Sequence, residues 1–129
     1  MSDAGYMIDA SALLALMLGE PGAERVQAAL PHAAVSAVNL SEVVAKLQER
    51  GVPDDVVTDS IAELDLPIVA FDHDQAMRAG RLRMATRTIG LSLGDRACLA
   101  AAGATGRIAL TTDRAWATVE TGVVVQVAR

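Results

Sequence analysis

Apolar positions in this chain fall into short runs separated by longer segments with helical spacing. Tyr6-Met-Ile runs straight into Asp9 and predicts a strand, and Ser11-Ala-Leu-Leu-Ala-Leu-Met17 has the length and residue types of a helix. Gly19-Glu-Pro-Gly22 breaks that helix, and residues 23–30 resume one until Pro31. Residues 33–37 predict a second strand. Residues 38–50 carry Leu40, Val43, Val44 and Leu47 at helical spacing and stop at Gly51. Residues 53–64 predict a further helix, with Pro at its start and acids in its first turn. A third strand is expected at 67–71, followed by an Arg-bearing helix over 72–89. Ser92-Leu-Gly-Asp95 opens an Ala-rich helix reaching Gly103 or Gly106. A fourth strand over 107–111, a short helix over 114–119 and a fifth strand over 123–127 complete the pattern.

Strands alternating with helices imply a parallel sheet covered on both faces, with right-handed crossovers. The expected fold is a three-layer α/β/α domain. Strands buried on both faces need no polar alternation, which fits their uniformly apolar character. At 129 residues the chain is expected to be one domain, 1–129, without repeats or a dividing linker.

In such a sheet the ligand crevice lies at the carboxyl ends of the central strands. Asp9, Glu42, Asp95 and Asp113 each fall where a strand hands over to a helix or where a helix begins, so acids far apart in sequence are expected at one end of the sheet. Carboxylates gathered without a countercharge repel one another. A hard divalent cation resolves that conflict, because magnesium and manganese prefer oxygen ligands. Taken singly, each acid has a capping explanation. Asp9 and Asp113 suit the N-cap of the next element, Glu42 suits an early helical turn, and Ser92-Leu-Gly-Asp95 is close to a capping box. Asp is short for that box, which would leave part of its carboxylate free. It is their shared predicted location that capping does not explain. Asp72 and Asp74 also follow a strand and are read as caps of the Arg-bearing helix.

Composition narrows the function further. The chain is 52% hydrophobic with one Tyr, one Phe and one Trp, which disfavours a sheet that stacks RNA bases on exposed rings. A net charge of -5 disfavours a general basic nucleic-acid surface, although four of the sixteen acids are proposed ion ligands. Arg78, Arg81, Arg83 and Arg87 read as the solvated face of their helix; Arg96 and Arg114 neighbour candidate ligands and are candidate phosphate contacts. His32 and His73 lack partners at zinc-ligand spacing. The single Cys98 reads as a small buried residue and sets no disulfide, which suits a reducing compartment. Nothing at the N-terminus reads as a targeting signal and no run approaches a membrane span, so a cytoplasmic location without membrane contact is expected.

Four segments together resemble a known family. Met7-Ile-Asp-Ala-Ser11, Val35-Ser-Ala-Val-Asn-Leu-Ser-Glu42, Leu91-Ser-Leu-Gly-Asp-Arg-Ala-Cys-Leu-Ala100 and Leu110-Thr-Thr-Asp-Arg-Ala-Trp116 look like the successive motifs of a PIN domain of the VapC toxin type, in order and across essentially the whole chain. The resemblance implies a five-stranded parallel sheet in the order 3-2-1-4-5 and a Mg2+- or Mn2+-dependent endoribonuclease. It matches Asp9, Glu42, Asp95 and Asp113 to the family's four acids, catalytic and metal-holding, and Ser11 and Thr111 to supporting hydroxyl residues. It also implies an RNA substrate, a homodimer and a VapB-type antitoxin partner, for which residues 13–18 and 23–30 with Ile61 and Leu64 are candidate groove residues. Gly94 departs from the pattern, where Ala or another helix former is usual, and is expected to loosen the helix start. Two alternatives stand beside this reading. One is an aspartate-nucleophile phosphotransfer domain, for which Lys46 is the single lysine available as phosphate partner. The other is an inert PIN-like interaction module.

Overall fold

Each of the three inner strands sends neighbouring side chains into two separate cores, which is why none of them alternates polar with apolar residues. The computed structural model describes residues 5–129, so residues 1–4 of the stretch read above as free of a targeting signal lie outside it. The elements are β1 (Tyr6–Ile8), α1 (Ala10–Leu18), α2 (Ala23–Ala29), β2 (Ala33–Ser36), α3 (Ala37–Glu49), α4 (Asp54–Leu64), β3 (Ile68–Val69), α5 (His73–Ala85), α6 (Leu93–Thr105), β4 (Ile108–Thr111) and β5 (Val125–Val127). Single 3-10 turns occupy Leu30–His32 and Arg114–Thr118.

All strands pair in parallel, in the order β3-β2-β1-β4-β5. The order and the layered α/β architecture are those expected from the sequence. Ile8 lies in register with Val35 on one side and Leu110 on the other, and this row points into a core built with Leu13, Val26, Val43, Leu47 and Val57 of α1 to α4. One residue earlier, Met7 lies between Ala34 and Ala109 and faces Cys98, Leu99, Ala101 and Ala102 of α6, together with Leu91 and Trp116. Small side chains on both surfaces let α6 sit close to the sheet. Residues 96–102 of that helix are all buried, with α5 packed outside it. Full burial of the Met7, Ile8, Leu99 and Leu110 side chains contributes on the order of 2 kcal/mol each.

The largest boundary differences from expectation are in α5 and β3. The helix predicted over 72–89 ends at Ala85: buried Thr86 leaves helical backbone at φ -113° and ψ 8° while its N–H and hydroxyl still reach the Leu82 carbonyl at 3.0 and 2.8 Å, and the chain then turns to Gly90 at φ 64°. The strand predicted over 67–71 pairs only at Ile68 and Val69. It is the sheet edge, and Pro67 has no N–H to extend the ladder, although its carbonyl accepts from Val35 N at 3.0 Å.

Candidate active site

Asp9 leaves β1 and caps α1 in the same step. Its N–H bonds to the Leu110 carbonyl at 3.1 Å, while its Oδ1 accepts from Ala12 N and Ser11 Oγ, each at 2.8 Å. From β4, Thr111 Oγ1 donates to Asp9 Oδ2 at 2.6 Å. The two hydroxyls then anchor the loop that follows β4. Ser11 Oγ accepts from Thr112 N at 3.2 Å, and Thr111 Oγ1 accepts from Asp113 N at 3.0 Å. The cap explanation for Asp9 is therefore correct and incomplete, because a capping Asp on the surface needs no help from a strand 102 residues away.

This carboxylate is only 3% exposed. Burial raises its pKa from 3.8 to about 6, against the lowering effect of its Thr111, Ala12 and Ser11 donors, and the charge of Asp95 pushes the same way as burial. Three donors do not compensate the negative charge. Asp113, further along the same loop, is exposed and caps the Arg114–Thr118 turn through Oδ1 to Ala115 N at 2.9 Å.

Glu42 and Asp95 form the other half of the crevice. Glu42 lies in the second turn of α3, where Asn39 Nδ2 donates to its Oε1 at 2.8 Å and to the Gly94 carbonyl of α6 at 3.0 Å. The Glu42 carboxylate fills the space beside Gly94: a Cβ there would lie 2.5 Å from Glu42 Cδ and Oε2, and nearer still to Oε1. Asp95 completes the capping box that the sequence suggested. Asp95 N donates to Ser92 Oγ at 3.1 Å and Ser92 N to Asp95 Oδ2 at 3.0 Å, with no donor to Oδ1 among the described residues. The shorter Asp side chain does make the reach.

Cys98 joins the two halves. One turn after Asp95, its buried Sγ faces the Met7 carbonyl at 3.7 Å, two residues before Asp9, so the start of α6 rests on the end of β1. Burial first, and then the charges of Asp9, Asp95 and Glu42, push its thiol well above its ordinary pKa. Cys98 is thus a neutral floor beneath three acids, as its reading as a small buried residue anticipated. Among the described residues, no three His, Cys, Asp or Glu side chains converge as a ready-made ion-holding group. The donor set nevertheless fits a hard divalent cation. All four acids offer oxygen, Asp9 keeps an uncompensated charge, and the buried Oδ1 of Asn39 has no donor.

The two arginines separate. Arg96 is 9% exposed and sends Nη1 to the Ala79 carbonyl of α5 at 2.9 Å, with Nε buried and unpaired. Its guanidinium is tied into the α5–α6 contact and is not free on a rim. Arg114 is exposed in the turn directly after Asp113. Sequence reasoning passed over Asn39. A signal was present: Asn39, Val43 and Leu47 are spaced four apart, so a polar residue sits on the buried stripe of α3.

The fold is an α/β domain with Asp9 and Asp113 following the carboxyl ends of β1 and β4, and Glu42 and Asp95 near the starts of α3 and α6. A family model described as "PIN domain" matches residues 6–121, and the chain belongs to that family. Among curated proteins no sequence relative matches it. Solved structures do. The chain is similar to one in a DNA-bound VapBC from Salmonella typhimurium, with TM-score 0.76, 16% identity and coverage of 98% of this chain and 99% of that one. It is also similar to a chain of a toxin-antitoxin complex from Klebsiella pneumoniae, with TM-score 0.77, 21% identity and coverage of 97% and 98%. A third is a member of the VapBC family of toxin-antitoxin systems from Mycobacterium tuberculosis, with TM-score 0.63, 21% identity and 98% coverage of both chains. At these identities the likeness is one of fold.

Proposed function

We propose that this chain is a single-domain VapC-type toxin, an endoribonuclease that hydrolyses RNA phosphodiester bonds with Mg2+ or Mn2+ held by Asp9, Glu42, Asp95 and Asp113. The observation that carries the reading is Asp9: a carboxylate sunk at the end of the central strand, fixed by three donors and still short of positive charge. When bound, the cation supplies Lewis acidity, acidifying water for attack and offsetting charge that builds on the phosphate.

The chain's own part is orientation. Ser11, Ala12 and Thr111 prevent Asp9 from rotating, and both hydroxyls spend their proton on Asp9 while their lone pairs hold the loop bearing Asp113. Ser92 holds Asp95 through one oxygen and leaves Oδ1 for the crevice. Arg114 is the candidate for a substrate phosphate, and Arg96 supports α6 from behind. Lys46 is exposed and 3.7 Å from Glu49, which leaves an aspartyl-phosphate mechanism without its usual cation.

Homologous folds occur in toxin-antitoxin complexes, which supports a VapB-type antitoxin as partner. Leu14, Leu16, Met17, Leu18, Ile61 and Leu64 are partly buried around the core and are the groove we assign to it. Leu13, Val26 and Ala29 are fully committed to the core and leave the candidate groove. Homodimer formation and cytoplasmic location belong to the same proposal; no helix among the described residues is long and apolar enough to cross a membrane.

The test is purified protein incubated with RNA, with and without Mg2+ or Mn2+, followed by sequencing of the RNA ends. Cutting that requires the ion and vanishes in Asp9→Asn supports the reading. Cutting that survives chelation or the Asp9→Asn change overturns it, and a folded protein that never cuts supports an inert interaction module instead.

A further inference from the structure

The four acids do not account for the most constrained contact in the crevice. Glu42 belongs to α3 and Gly94 to α6, 52 residues later, yet the carboxylate of one occupies the side-chain space of the other. Gly94 has no left-handed backbone to explain it, being an ordinary residue in the first turn of α6. Ala in that turn would favour helix by on the order of 1 kcal/mol. The absent side chain is therefore used for close approach, not for conformational freedom.

Asn39 closes the arrangement from the α3 side. Its amide is 1% exposed and bridges Glu42 Oε1 and the Gly94 carbonyl. Both partners are acceptors, so only Nδ2 can face them, and the amide has one permitted orientation. Its Oδ1 is left buried with no donor, a cost of roughly 1–3 kcal/mol that a residue needed only for packing would not incur.

We propose that Asn39 and Gly94 are positioning residues that together seat Glu42: Gly94 by leaving room for the carboxylate against the start of α6, and Asn39 by locking it there. The inference rests on the nuclease reading above insofar as the seated carboxylate serves the ion. Adding a methyl group at Gly94 displaces Glu42 while leaving the acid itself and the fold in place, since a flexible carboxylate can swing aside.

The experiment uses the purified chain as wild type, Gly94→Ala, Glu42→Ala, the Glu42→Ala/Gly94→Ala double variant and Asn39→Ala. Mn2+ affinity is read from the electron paramagnetic resonance of free Mn2+, and thermal midpoints are measured without metal. Gly94→Ala and Asn39→Ala should each weaken Mn2+ binding by roughly tenfold or more, the effect typical of losing a residue that orients a ligand. In the Glu42→Ala background Gly94→Ala should weaken it no further. The change in Tm caused by Gly94→Ala should be more favourable without Glu42 than with it. A Gly94→Ala protein that folds only in the Glu42→Ala background would support the seat more strongly.

Wild-type Mn2+ affinity in Gly94→Ala, tighter binding, or the same Tm shift in both backgrounds would overturn the proposal. So would failure of both Gly94→Ala proteins to fold. The Tm coupling needs no ion, so it judges the seat even where the wild type binds no Mn2+. That last result would instead end the nuclease reading.

Discussion

Replacing Asp9 by Asn should make this protein more stable and inactive at the same time. Burial holds the Asp9 pKa at about 6 in the folded chain, against 3.8 ordinarily. At about 1.4 kcal/mol per pH unit, that displacement corresponds to roughly 3 kcal/mol of strain when the carboxylate is ionised in the folded state. The sign follows from proton binding. Between pH 3.8 and about 6 the folded state holds more protons on Asp9 than the unfolded state does, so stability is highest below the lower value and falls as pH rises through the upper one. Asn carries no charge and can still accept from Ala12 N, but its amide must reverse one hydroxyl contact with Thr111 or Ser11. Allowing about 1 kcal/mol for that, the net gain at pH 8 is roughly 2 kcal/mol, a Tm increase on the order of 5 °C for a domain of this size. Thermal unfolding with a chelator present, from pH 4 to pH 8, measures it as the difference between variant and wild type. That difference should grow with pH and close near pH 4. Adding Mg2+ or Mn2+ should raise the wild-type Tm and leave the variant's unchanged. An Asp9→Asn protein that is no more stable at pH 8 than at pH 4, relative to wild type, would show that this carboxylate is not strained by its surroundings.

Thr111→Val keeps the shape of β4 but strips a donor from buried Asp9 and an acceptor from the part-buried N–H of Asp113; a loss of roughly 1–3 kcal/mol in denaturant unfolding is expected, with reduced cutting. Arg96→Ala should lower stability by about 2 kcal/mol through the lost charge-assisted bond to Ala79, while RNA affinity per folded molecule stays at the wild-type level. Arg114→Ala, in contrast, should leave the unfolding midpoint alone and weaken RNA binding in a filter or fluorescence assay. Ser92→Ala removes the N-cap of α6 and should cost about 1 kcal/mol, measured by urea unfolding. Native Cys98, buried and held neutral, should resist alkylation until the protein unfolds, so mass spectrometry after a timed pulse of iodoacetamide reports global opening.

The legible part of this chain was the part written in periodic patterns. Every strand and helix was placed from apolar runs and breakers, because short, largely apolar strands such as Tyr6–Ile8 and Ile108–Thr111 have few other structural uses. Endings were less legible where no breaker marks them. α5 ends where Thr86 leaves helical backbone at φ -113°, four residues before Gly90, and nothing about Thr in isolation announces that. Arg96 shows the opposite failure. Its place beside Asp95 suggested phosphate, but adjacent residues on a helix point about 100° apart, and that rotation carries the guanidinium to α5.

Gly94 and Asn39 mark where one-dimensional reading runs out. As a helix former Gly94 is a defect, and as a helix residue Asn39 is indifferent, so propensity explains neither. Each makes sense only when α3 and α6 are brought together, because the glycine's missing Cβ is the volume in which Glu42 sits and the asparagine's amide spans the gap. Residues that break a local rule at a site are therefore informative in proportion to how poorly their own element accounts for them. In this chain they point to Glu42, the acid whose sequence position alone said least about its role.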